Sequence, residues 1–336
     1  MNIIIPMAGR GSRLRPHTLT VPKPLVPVAG KPMVQRIVED LMSGIQEEIE
    51  NVGFIIKDDF GKDIESELIG IANSLGAKGH IFYQDQPLGV AHAILCAREI
   101  LVGPCIIGFA DTLFKANFAF DTSQDGFVWV QKVEDPRPFG VIKLDDKNVI
   151  THFVEKSPVF VSNLAIVGLY YVREGALLRD EMQYLLDNDI KDKGEYQLTS
   201  ALENMRSKGF KFKPAMIEEW LDCGNKDNVV YTNQRILDIK KDQEQLRSES
   251  AEIVNSTIIE PCFIGDGTKI VNSVVGPHVS IGSNSTIENC VIKNSLVQHH
   301  TKVKNAVLTD SMIGNLVDYE GKMSDISIGD YTTIKT

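Results

Sequence analysis

No stretch of the chain approaches the ~20 consecutive apolar residues that a membrane span needs. The opening run Ile3-Ile4-Ile5 is too short for a signal-peptide core and has no basic residue before it. The expectation is a soluble, cytoplasmic protein with no membrane partner. Cysteine is sparse and unpatterned: Cys96, Cys105, Cys223, Cys262 and Cys290 are odd in number, widely spaced and form no CxxC pair. That argues against a disulfide framework or a structural zinc site and fits a reducing compartment. Acidic residues are absent before Glu39, whereas Arg10, Arg13, Arg15, Lys23, Lys31 and Arg36 all precede it. The 336 residues together carry a formal charge of −10, so the chain after this +6 segment carries −16. Such a balance excludes a general nucleic-acid binder and points to a local anion site for a small phosphorylated ligand. At about 150 residues per domain, the length predicts two domains.

The first half alternates strand-like and helix-like segments. Asn2–Ile5, Val52–Ile56, His80–Tyr83 and Cys105–Phe109 read as strands. Helices are predicted from Pro32 to Gly44, over Asp63–Leu75 and over Gly89–Leu101, from apolar positions recurring every three or four residues. This order predicts an α/β, Rossmann-like, mostly parallel sheet wrapped by helices, with ligands beyond the carboxyl ends of the strands. From Phe127 to Val172 the pattern is strand-rich, and helical stretches then follow around 175–186 and 196–208. A strand over Phe212–Ile217 leads into Trp220-Leu221-Asp222, and Asp227–Ser248 reads as a helical connector.

After about Ile253 short aliphatic residues recur every five or six positions: Ile258, Ile264, Ile270, Val275, Ile281, Ile287, Ile292, Val297, Val303, Leu308 and Ile313. Gly, Asn, Ser and Thr fill the gaps. A β-sandwich alternating every two residues does not sustain that spacing, and a left-handed parallel β-helix of hexapeptide repeats does. The expected division is residues 1–226, a helical connector 227–252 and a β-helix 253–336, with homo-oligomerisation as the expected purpose of the coils.

The densest motif is Met7-Ala-Gly-Arg-Gly-Ser-Arg-Leu-Arg-Pro16, continuing to Pro22-Lys-Pro-Leu-Val-Pro27. Gly9 and Gly11 allow close approach of backbone amides to a phosphate, and Arg13 and Lys23 add the cationic charge a triphosphate requires. The third glycine of a dinucleotide fingerprint is missing, because Leu14 occupies that place, and no Walker lysine follows. Nothing in the chain forms a Ser/His/Asp or Cys/His constellation. By themselves, Asp111 and Asp222 read more readily as turn or helix caps than as metal ligands, and His92 as a structural residue; Glu155-Lys156 also reads as a solvated pair and Gln84 as a strand end.

Taken together, the segments resemble the sugar-1-phosphate nucleotidyltransferases, with an Ala-Gly-x-Gly-Ser-Arg loop followed by Pro-Lys-Pro-Leu. The resemblance covers most of residues 1–225 and includes Gln84–Ala93, Phe109–Thr112, Phe139–Val141, Val154–Lys156, Ser162–Ala165 with Gly168, Gly194-Glu195 and Trp220–Gly224. It implies that Ala8, Gly9, Gly11, Ser12 and Arg13 wrap a nucleoside triphosphate, with Lys23 near the reacting phosphates and Gln84 and Gly89 at the base. It further implies that Asp111 and Asp222 hold Mg²⁺. Gly140, Glu155, Asn163 and Gly168 would cradle the sugar, while Lys156 and Lys193 would meet the phosphate of the sugar 1-phosphate.

The Gln84–Ala93 segment looks most like the branch that transfers thymidylyl groups to glucose 1-phosphate. Leu14–Pro16 and Val21–Pro27 also resemble mannose-1-phosphate guanylyltransferases. A non-catalytic regulatory subunit, or a second acyltransferase activity in the tail suggested by His299-His300, are the other expectations. The chain departs from the family pattern at Ala110, Thr112 and Ser157, where glycine, asparagine and proline are usual, and Arg10 is the variable loop position.

Overall fold

The computed structural model describes residues 1–9, 11–116, 120–322, 327–328 and 332–333. Arg10 and most of the chain beyond Lys322 lie outside them. The described residues fall into two compact units: 1–26 with 31–228, and 27–30 with 229 onward. No described helix is long and apolar enough to cross a membrane.

In the first unit, Ile3, Ile4 and Ile5 are fully buried because β1 (Asn2–Pro6) is central in a parallel sheet and covered on both faces. It lies between β2 (Asn51–Ile56) and β4 (Cys105–Gly108), both parallel to it. β3 (Lys78–Tyr83) extends the sheet beyond β2. On the other side the strands are antiparallel: β9 (Leu164–Val172) pairs with β4 and with β6 (Gly126–Lys132), and then β7 (Val141–Leu144) and β8 (Ile150–Val154) follow. A separate ribbon pairs β5 (Thr112–Lys115) with β11 (Glu219–Asp222), while β10 (Phe212–Met216) joins β6.

Helix α1 (Met33–Gly44) buries Val34, Ile37, Val38 and Leu41 along one stripe, as their spacing predicts. α2 (Lys62–Ser74) packs against β3 and is likewise where expected. One helix is shorter than its apolar pattern implies. α3 runs from Val90 to Leu95 only. From Cys96 onward the amides reach carbonyls three residues back, Ala97 to Ile94 at 3.0 Å and Ile100 to Ala97 at 3.0 Å, so the chain tightens into turns while still burying Leu101. Helices α4 (Gly175–Asp187) and α5 (Leu198–Ser207) complete this unit; α6 (Lys226–Lys240) covers only the first part of the expected helical connector, and residues 241–251 run as turns and irregular chain into the first coil.

In the second unit three parallel sheets of five, four and four strands stack coil upon coil. All eleven aliphatic positions named above line or pack against their shared core. Each corner needs a residue with positive φ. Asn255, Asn272, Asn289 and Asn305 supply one corner at φ of 48 to 53°, a conformation that asparagine tolerates better than most residues. Their side chains also bond along the stack, Asn272 to Asn289 at 3.3 Å and Asn289 to Asn305 at 3.1 Å. The polar residues between the aliphatics are therefore corner residues of a parallel β-helix.

Candidate active site

Four parallel strands end at one cavity of about 490 Å³, lined by Met7 after β1, Lys57 after β2, Gln84 after β3 and Asp111 after β4. The strand order β4-β1-β2-β3 reverses direction between β1 and β4, the crevice at which open α/β sheets hold ligands. Ala8, Gly9, Gly11, Ser12 and Arg13 lie in the same lining, together with Lys23 and Gly89.

The loop's shape follows from two residues. Gly11 sits in the left-handed region at φ 59°, and a Cβ there would stand 2.8 Å from Cβ of Lys23, so glycine lets the lysine shaft pass. Leu14, in the place of a dinucleotide glycine, is fully buried and pins the one-turn helix Ser12–Leu14. Arg13 is left exposed beside the cavity. Lys23 is 6% exposed, and its Nζ donates to Asp111 Oδ2 at 2.7 Å. Elsewhere in the acid-free segment, Lys31 pairs with Glu39 at 2.8 Å and Arg36 is buried on α1; neither lines the cavity.

The β5–β11 ribbon joins the two aspartates. Asp222 faces Thr112, and the Cys223 amide donates to the Asp111 carbonyl at 3.1 Å. Asp222 accepts a hydrogen bond from Asn228 Nδ2 and folds back over Gly224, where a Cβ would lie 2.7 Å from its Oδ2. No group of three His, Cys, Asp or Glu residues able to hold a metal is present among the described residues. Asp111 lines the cavity, whereas Asp222 lies outside the lining, over Gly224, which belongs to it; carboxylates so placed fit Mg²⁺, which takes one or two carboxylates and completes its shell with phosphates and water. Gly224→Ala is expected to keep the fold, because the carboxylate can swing aside. That swing removes it from this position, so turnover should fall by about tenfold or more. Thermal unfolding and steady-state rates measured together check this, and an unchanged rate would separate the Asp222 orientation from activity.

At the other end of the cavity, Gln84 Nε2 donates to the Gly89 carbonyl at 3.2 Å and lies 3.1 Å from His92 Nδ1. Burial lowers the pKa of His92, favouring the neutral ring that can accept there. Gly89 has φ 117°, and a Cβ would meet the Tyr196 backbone at 2.6 Å. Leu88 and Ala91 close this approach through backbone bonds to Tyr196.

The residues assigned to the sugar form a second group outside the cavity lining. A Cβ on Gly140 would lie 3.0 Å from Glu155 Oε2, which also accepts from Thr199 Oγ1 at 3.2 Å. Lys156 Nζ is 3.5 Å from Glu155 Oε1. Gly168 abuts Phe109, which does line the cavity, so the groups meet there. Asn163 is exposed, and its carbonyl accepts from the Val133 amide. Lys193 spends its ammonium on the carbonyls of Glu155 and Lys156, holding that turn in place. Trp220 packs edge-on against Phe139 and has a buried Nε1 donor with no partner among the described residues. Glu195, from the Gly194-Glu195 pair, lines the cavity, and so does Lys57, which no motif singled out. The signal for Lys57 was its place immediately after a parallel strand.

The sequence profile of nucleotidyl transferases matches residues 2–239, and that of the GlmU-like C-terminal hexapeptide region matches 240–314. The low-salt glycan biosynthesis nucleotidyltransferase of Haloferax volcanii is 30% identical over 94% of this chain and 92% of its own. A glucose-1-phosphate thymidylyltransferase of Streptomyces griseus is 27% identical over 92% and 89%. A bifunctional GlmU protein of Methanococcus vannielii is 26% identical over 92% and 78%. The crystal structure of a UDP-glucose pyrophosphorylase complexed with UDP-glucose superposes at TM-score 0.57 and 23% identity, covering 71% of this chain and 98% of that one, and so shares its fold. With the profile spanning the sheet, the glycine loop and both aspartates, the chain belongs to the nucleotidyl transferase family.

Proposed function

We propose that the protein transfers a nucleotidyl group from a nucleoside triphosphate, dTTP or UTP, to a sugar 1-phosphate, glucose 1-phosphate being favoured, with Mg²⁺. The observation that carries this reading is the convergence of the Gly9–Arg13 loop, the Lys23–Asp111 pair and Gln84 on one cavity. Bound Mg²⁺ would neutralise phosphate charge. A sugar phosphate of about −2 approaching a triphosphate of about −4 meets strong repulsion, so cations must screen both partners. Arg13 and Lys23 supply fixed positive charge on the triphosphate side, and Lys156 supplies it on the side of Glu155 and Gly140. An oxygen of the sugar phosphate attacks the α-phosphorus, the bond from that phosphorus to the β-phosphate bridge breaks, and pyrophosphate leaves. No protein nucleophile is required, because positioning and charge stabilisation suffice for in-line phosphoryl transfer. The Trp220 donor, which has no partner among the described residues, and Glu155 supply the kind of polar groups a sugar hydroxyl would engage.

The same proposal includes homo-oligomerisation through the coils. It is supported by exposed Val274, Val291 and Val307, which occupy matching register positions on one sheet face. The reaction is tested by incubating the purified protein with Mg²⁺, each common nucleoside triphosphate and a panel of sugar 1-phosphates. Pyrophosphate release is expected with glucose 1-phosphate and dTTP or UTP. Silence across the panel would favour a regulatory, non-catalytic subunit.

A further inference from the structure

We infer that Lys57 is a specificity-determining residue that, beside Gln84, selects a nucleobase presenting a ring carbonyl next to a ring N–H. The inference rests on reading the cavity as the nucleotide site. It begins with register. Ile56 faces Tyr83 across parallel strands β2 and β3, and the Gln84 amide donates to the Ile56 carbonyl at 2.9 Å. Lys57 and Gln84 are therefore the next neighbours in this pair, about 4.8 Å apart in the sheet direction, and both line the cavity. Asp111 follows β4, two strands from β2, so Lys57 belongs to the Gln84 end of the site and not to the aspartate end.

The chemistry of the two groups is complementary. The Gln84 amide orientation is set by the Gly89 carbonyl, which can accept only from Nε2. The second Nε2 hydrogen points to the neutral His92 Nδ1. With both hydrogens engaged, Gln84 offers the cavity its oxygen Oε1, an acceptor. Lys57 is half-exposed, makes no ion pair among the described residues, and carries three donors and no acceptor. A donor beside an acceptor matches the O4 and N3–H of uracil or thymine and the O6 and N1–H of guanine. Cytosine and adenine present an amino group and a bare ring nitrogen there, placing donor against donor and lone pair against lone pair.

Binding of UMP and CMP to the full-length protein by titration calorimetry tests this without requiring turnover. Wild type is expected to bind UMP at least about tenfold more tightly than CMP, the scale of one charge-assisted hydrogen bond. Lys57→Met, shown folded by circular dichroism, should cut the UMP preference by about tenfold through weaker UMP binding and leave CMP within about threefold, any remaining preference being owed to Gln84. Lys57→Arg, which keeps the donors, should retain the preference. Equal weakening of UMP and CMP in Lys57→Met would make Lys57 a phosphate contact and overturn the inference. Equal binding of both by wild type, or no binding of either, would overturn it as well. A wild type that prefers UMP through Lys57 but releases no pyrophosphate with any substrate pair would sink the proposed reaction and leave this inference standing.

Discussion

Asp111→Asn is expected to lower turnover by about 10³-fold or more, the scale on which removal of one preorganised charged group acts in phosphoryl and acyl transfer. The same substitution should reduce stability by about 1–3 kcal/mol. It leaves the Lys23 ammonium, 6% exposed, facing a neutral amide in place of a carboxylate at 2.7 Å. The partial exposure of Asp111, whose side chain is 40% accessible, keeps that cost below the value for a fully buried pair. Asp222→Asn should match the loss of turnover, and the bond from Asn228 Nδ2 can still be accepted by the new side-chain oxygen. Rates at saturating Mg²⁺ together with urea unfolding separate the two effects. Turnover within tenfold of wild type in either variant would remove that aspartate from the reacting site.

Gly276→Ala is expected to have the largest effect on stability of any single methyl addition in the β-helix. Gly276 has φ 110°, and a Cβ there would lie 1.9 Å from the Ile259 carbonyl oxygen. That oxygen belongs to the backbone of the adjoining coil, which is itself held by the Ile259 amide bonding to Val275 at 2.8 Å. No side chain can rotate away to make room. Left-handed strain of about 1–2 kcal/mol and overpacking of about 1–3 kcal/mol together imply a loss of several kcal/mol, or failure of the coils to form. Gly61→Ala is the control. Its φ of 87° carries the same kind of strain, but nothing stands within 4 Å of the added methyl. Thermal unfolding of the pair checks the difference, and equal midpoints would show that the coil backbone relaxes around the methyl.

The repeat segment was the most legible part of the chain. Its core positions recur at a spacing imposed by the coil itself, so Ile264, Ile281 and Val297 announce their burial without reference to anything distant. The glycine loop was legible for a similar reason, since Gly11 and Leu14 act within a few residues. Two features were not. The helix begun at Gly89 carries apolar residues through Leu101, but hydrogen bonds of shorter reach end it at Leu95, and apolar spacing alone does not distinguish the two. Lys57 stands among Asp58 and Asp59 in the sequence and reads there as part of a solvated charged turn. Only the position of β2 between β1 and β3 turns it into a lining residue. Lys193 shows the converse: resemblance points it at a phosphate, whereas the fold gives it two backbone carbonyls to hold.

The sequence by itself determined the two architectures and the identity of the charged residues at the strand ends, because hydropathy period, local sterics and charge are properties of neighbouring residues. Tertiary structure decided which of those charges meet. The acid-free N-terminal segment had six candidates for an anion site, and only Arg13 and Lys23 among its described residues reach the cavity. Asp111 and Asp222 are brought to neighbouring positions in the backbone only by the pairing of β5 with β11, and Lys57 joins Gln84 only through parallel register. Contacts between segments so far apart in the chain depend on which strands pair, and that is set by the packing of the whole sheet.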